Sequence, residues 1–148
     1  MTPPPLPRQS TNRLEGISGQ IMSLSLLHRI ELLPCLHQRS EALQRELGLE
    51  SVRFLCADML SASLASTGLL VLANQCWDKG LMRQTSSKVS AELPEGALCI
   101  EYTGSLGGSN TMQLLAKVIA PVSWNSQGLC FHVWRKRSEI EIGDRQVA

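Results

Sequence analysis

This chain of 148 residues has no Cys-x-x-Cys pair, no secretory signal and no apolar run near the ~20 residues of a membrane helix. Its five cysteines, at 35, 56, 76, 99 and 130, are odd in number and scattered. That excludes a disulfide framework and reads as a reducing compartment, hence an intracellular protein, cytoplasmic or nuclear. Cys56, Cys99 and Cys130 sit within apolar runs, where cysteine acts as a small hydrophobe. An excess of one charge is lacking too: the formal net charge is +1. Strong general attraction to nucleic acid or acidic membranes is therefore not expected. There is no G-x-S-x-G, no P-loop, no H-E-x-x-H and no internal repeat. The three histidines, His28, His37 and His132, have no cysteine or carboxylate at metal spacing, so no metal site is expected.

What is present suits one domain with one core: 43% of the residues are apolar and 18% charged. Residues 1–13, with four prolines, read as a disordered lead-in. Residues 14–136 read as the folded domain and 137–148 as a charged tail, with fraying from Trp134 onward. Ile21, Met22, Leu24, Leu26 and Leu27 predict a helix from Gly19 to His28, followed at once by a short strand over 29–33. Pro34 suits the first turn of an amphipathic helix that Gly48 ends, with Leu36, Leu43 and Leu47 on one face. Strands are expected over 52–57 and 69–73, the second apolar throughout, as in a central parallel strand covered on both faces. A helix over 78–92, a strand over 97–102 and a flexible glycine loop over 104–110 follow. Residues 112–119 and 129–134 read as an antiparallel pair joined by 121–128. The sum is an α/β chain: a Rossmann-like, mostly parallel sheet with a C-terminal antiparallel hairpin.

In such sheets ligands sit beyond the carboxyl ends of the strands, where this chain places its polar residues. Glu31 ends one strand, and an ionised carboxylate, acceptor-only, matches a ribose diol. Asp58 with Met59 follows the next strand and could hold the amino edge of an adenine. Asn74-Gln75-Cys76-Trp77 follows the most apolar strand, where amide oxygens and an aromatic face could cradle an amine. Gly16 and Gly19 precede the first helix, where backbone could approach a cofactor. Each feature also has a plainer reading: a solvated Glu31, an Asp58 that organises a loop, a Trp77 packed on the core, an Asp78 that caps a helix, an irregular turn at Gly16. Arg135-Lys136-Arg137 reads as a solvated basic cluster. The expected geometry is a single rim shared by three separate polar spots.

In order, these segments resemble the class I S-adenosylmethionine-dependent methyltransferases. Within that class they look most like the non-SET histone-lysine methyltransferases (disruptor of telomeric silencing). The carrying segments are Ile30-Glu-Leu-Leu-Pro34 with Leu36-His37, Cys56-Ala-Asp-Met59, Leu72-Ala-Asn-Gln-Cys-Trp-Asp78, Leu93-Pro-Glu-Gly-Ala97, and Val122-Ser-Trp124 with Cys130-Phe-His-Val-Trp-Arg135. The likeness covers roughly residues 15–136. It implies S-adenosylmethionine as cofactor and a protein lysine as a possible substrate. It assigns cofactor binding to Gly16, Gly19, Glu31, Asp58, Met59 and Asn74, and places Asn74 and Trp77 at the reacting methyl group as catalytic residues. The family's first strand and its three-glycine loop are here reduced to Leu14-Glu-Gly-Ile-Ser-Gly19, so the chain reads as N-terminally truncated, with that strand missing or degenerate. A strand lost from the middle of a sheet would leave apolar edges open to self-association. Two other readings stay open: a non-catalytic remnant that binds a partner, and an unrelated small α/β nucleotide-binding module.

Overall fold

The computed structural model describes residues 27–138. The elements run β1 (Leu27–Glu31), α1 (Pro34–Leu47), β2 (Val52–Cys56), β3 (Leu69–Leu72), α2 (Lys79–Glu92), β4 (Leu98–Glu101), a 3-10 turn (Ser105–Gly108), β5 (Met112–Val122) and β6 (Asn125–Lys136). The α/β fold expected from the sequence is present. Most of the predicted helix from Gly19 to His28 lies outside the described residues. Its last two residues do not fit it: Leu27 and His28 are already strand, in register with Val52 and Arg53.

The strands form two sheets. β1 and β2 are parallel to each other, and the second sheet has the order β3-β4-β6-β5, with β3 parallel to β4 and β6 antiparallel to both its neighbours. Among the described residues no strand bridges β1 and β3. The apolar strand Leu69–Leu72 is thus an edge and not a sheet centre: its Val71 is 61% exposed. Four consecutive apolar residues look alike at the middle and at the margin of a sheet, because the signal reports side-chain type and not what lies beside the backbone.

Proline and glycine fix α1 as the sequence implied. Pro34 stands in the first turn, where its missing N–H costs nothing, and Gly48 closes the helix at φ 63°, a left-handed conformation that penalises any Cβ. The apolar stripe of α1 is nonetheless uncovered: Leu36, Leu43 and Leu47 are exposed, and the helix has no buried residue. A two-stranded sheet offers little surface to bury against.

The core belongs to the four-stranded sheet. Strand side chains alternate between faces, so the cross-strand partners Leu70, Cys99, Trp134 and Leu114 share one face with Leu72, Glu101, His132 and Lys117. Val89 and Thr85 of α2 are buried, as are Leu93 and, from the 3-10 turn, Leu106. Asp78 caps α2 by accepting the N–H groups of Gly80 (2.6 Å) and Leu81 (2.9 Å), and these bonds hold its carboxyl below the usual carboxylate range.

The closing hairpin is longer than the sequence implied, since its strands turn through Ser123 and Trp124 and the second runs on to Lys136. The basic cluster is not a frayed tail. Arg135 donates to Gln113, Lys136 to the Ser90 carbonyl and Arg137 to the Asn110 carbonyl.

Of the three cysteines in apolar runs, only Cys99 is buried; Cys56 and Cys130 are exposed, as are Cys35 and Cys76. Burial, with the Glu101 carboxylate nearby, pushes the Cys99 thiol up to about 12. Iodoacetamide at pH 8 is therefore expected to alkylate Cys35, Cys56, Cys76 and Cys130 in the native protein and Cys99 only after denaturation. Peptide mass mapping before and after urea reads this directly.

Candidate functional site

The carboxyl ends of the parallel strands carry the predicted residues, in two groups. Glu31 ends β1 and Asp58 follows β2, while Asn74 and Trp77 follow β3. Among the described residues the expected single rim is thus split between two sheets with no ladder between them, and none of these four residues lines the cleft between the 3-10 turn and the β5–β6 hairpin or the one beside Gly68 and Pro94. The loop after β2 joins the groups: Met59 packs against the core of the larger sheet, and the Thr85 hydroxyl on α2 points to its sulfur at 3.9 Å. Gly16 and Gly19 lie outside the described residues.

Each predicted side chain has a definite local role. Glu31 is half-buried, and its Oε1 accepts the Leu33 N–H at 3.1 Å, turning the chain from β1 into α1. Asp58 is exposed and forms an Asx turn, with Oδ1 accepting the Leu60 N–H at 2.9 Å; its carbonyl accepts from Ser61 and Ala62. Asn74 is 1% exposed. Its Nδ2 donates to Glu101 Oε2 at 2.7 Å and to Thr103 Oγ1 at 3.0 Å, while Oδ1 accepts the Tyr102 N–H at 3.1 Å. The amide oxygen expected to face an amine thus ties β3 to the end of β4. Trp77 is half-buried against the core, and its backbone N–H donates to the Asn74 carbonyl.

The centre of this region is a residue the sequence reading passed over. Glu101 ends β4 and is completely buried. Its Oε2 accepts from Asn74, Thr103 (3.0 Å) and the Ser105 hydroxyl (2.6 Å). Its Oε1 accepts the Leu106 N–H (3.2 Å) and the Trp134 indole N–H (3.1 Å). A buried charge is tolerable only when its oxygens are so satisfied. The signal available was phase: Glu101 falls two residues after Cys99, on the inward face of an apolar strand, where a charge has to find partners.

No protein-family model matches the chain, and no curated protein matches it in sequence. Solved structures do. A protein of Escherichia coli described as a candidate methyltransferase, YhhF, superposes with a TM-score of 0.60 at 13% identity, over 78% of this chain and 65% of its own. The N-methyltransferase NodS of Bradyrhizobium japonicum gives 0.55 at 16% identity, over 76% of this chain and 74% of its own. A type 11 methyltransferase candidate from Sulfolobus solfataricus gives 0.51 at 15% identity, over 78% and 73%. The chain has a class I methyltransferase fold. At these identities the likeness concerns architecture. The chain spans about two thirds of the length of the Escherichia coli structure. None of these three neighbours is described as a histone-lysine methyltransferase, so the narrower resemblance gains nothing from them.

Proposed function

We propose that this chain binds S-adenosylmethionine beyond the carboxyl ends of its strands and promotes methyl transfer to an amine. The observation that carries the proposal is the superposition on NodS, an N-methyltransferase whose structure is also known in complex with S-adenosylhomocysteine, with a TM-score of 0.54 over 76% of this chain at 14% identity. The residues present suit such a group. Glu31 and Asp58 each commit one carboxylate oxygen to a backbone N–H, which leaves the second as an acceptor for ribose hydroxyls and for the adenine amine. Met59 supplies apolar surface beside Asp58.

S-adenosylmethionine, when bound, brings a methyl group already activated on a sulfonium. The work left to the protein is alignment and exclusion of water. Asn74 acts there as a positioning residue: by bridging to Glu101 and Tyr102 it sets the spacing of the β3 and β4 ends. Trp77 supplies an aromatic wall suited to a cationic centre. A protein lysine is the form of acceptor that the sequence resemblance implies.

Calorimetric titration of the full chain with S-adenosylmethionine and S-adenosylhomocysteine tests the reading. Saturable binding is expected, and Glu31→Ala is expected to weaken it by about tenfold or more, the worth of hydrogen bonds to a charged acceptor. A folded protein that binds neither compound would refute the proposal and leave a non-catalytic binding module.

A further inference from the structure

A cleft of about 560 Å³ lies between the 3-10 turn and the β5–β6 hairpin, and none of Glu31, Asp58 and Asn74 lines it. Its floor is apolar, formed by Met112, Leu114 and Trp134, and among the described residues its ionisable lining residues are Lys117, His132 and Arg137. Among the described residues no acidic side chain lines it. The nearest buried carboxylate, Glu101, already accepts from five donors and is no counterion for these bases.

The basic end of the cleft is set by one extra residue. Leu114 pairs with Trp134 and Ala116 with Val133, so Leu115 is a bulge, after which Lys117 pairs with His132. Without it the lysine would project from the opposite face. Lys117 and His132 thus stand side by side at one end, with Cβ atoms about 5 Å apart. Lys117 has no carboxylate partner among the described residues. His132 Nδ1 is buried and has no hydrogen-bond partner among the described residues. Gly104 keeps the space over the imidazole open: at φ 70°, a Cβ there would come within 3.2 Å of Nε2. Arg137 lies at the far end, roughly 17 Å along β6 from His132, with its guanidinium on the Asn110 carbonyl.

We propose that this cleft is a second ligand site, for a small phosphate monoester whose phosphate sits between Lys117 and His132 and whose uncharged body lies along Leu114 and Trp134. Its volume falls in the range of small-molecule sites, ~300–1,000 Å³. The Lys117 ammonium beside the His132 imidazole, a ring that can donate a hydrogen bond, favours a compact phosphate group at that end, and the apolar floor favours an attached organic body over a bare ion. Three bases on a chain of net charge +1 make no track for a nucleic-acid strand.

The site is independent of the cofactor reading, so its test uses probes without adenine. The full chain is titrated at low salt, by calorimetry, with uridine 5′-monophosphate, ribose 5-phosphate, uridine and inorganic phosphate. Saturable one-to-one binding of both phosphate monoesters is expected, with uridine and inorganic phosphate each weaker by about tenfold. Lys117→Glu should weaken the monoesters by at least about tenfold and leave the melting curve unchanged, because Lys117 is exposed. Glu31→Ala should leave them untouched. Equal binding of uridine and its monophosphate, equal binding of inorganic phosphate, wild-type affinity in Lys117→Glu or no saturable binding would each overturn the proposal.

Discussion

Glu101→Ala is expected to lower the unfolding free energy by roughly 3–5 kcal/mol, among the largest effects a single substitution produces. The mutation removes one acceptor group and strands five donors. Four of these are side chains, those of Asn74, Thr103, Ser105 and Trp134, and the fifth is the Leu106 backbone N–H. Leu106 and Asn74 are fully buried, so water cannot replace the lost partner there. Each unsatisfied buried group costs about 1–3 kcal/mol. Glu101→Gln keeps the shape but turns an NH2 group toward donors, so it should recover only part of the loss. Urea denaturation of the three proteins measures the order: wild type, then Gln, then Ala. Equal stability of wild type and Glu101→Ala would show that the network adds nothing. A loss in Asn74→Ala that simply adds to that of Glu101→Ala would show that the two residues do not act together.

The second large effect is expected at Trp134. This residue is buried, pairs across the sheet with Cys99 and Leu114, and sends its indole N–H to Glu101. Trp134→Ala should cost roughly 3–5 kcal/mol, through lost burial and the cavity left behind. Trp134→Phe separates the two contributions, because it keeps most of the apolar volume and deletes the donor. Its cost should be about 1.5–3 kcal/mol, the worth of a hydrogen bond to a charged group. Because Glu101 is shared, the effect of Trp134→Phe should shrink in a Glu101→Gln background, which a double-mutant cycle reads as coupling. Full additivity would assign the indole a packing role alone.

Much of the fold was legible because it rests on local chemistry. Pro34 and Gly48 bounded α1, Asp78 capped α2 as its plainer reading held, and the strand expected from residue 97 starts within a residue of the observed β4. The candidate site was legible only as a set of places. Strand ends are visible in sequence, so Glu31, Asp58 and Asn74 could be nominated. What their side chains do could not be read, because Asp58 bonds within its own turn while Asn74 bonds a residue 27 positions away. Glu101 was missed in part for the same reason: two of its five donors, Asn74 and Trp134, are 27 and 33 positions away, though the other three lie within five residues of it.

The amino-acid sequence alone determined most of the alternation of helix and strand and the ends of α1 and α2, since these follow from backbone sterics and side-chain period within a few residues. Tertiary structure decided the rest. It made Leu69–Leu72 an edge, left the α1 stripe uncovered, closed the Glu101 network and, through the bulge at Leu115, turned Lys117 toward His132. These outcomes depend on which distant segments pair and in what register. That is settled by burial and hydrogen bonding summed over the whole sheet, and no short stretch of sequence carries that sum.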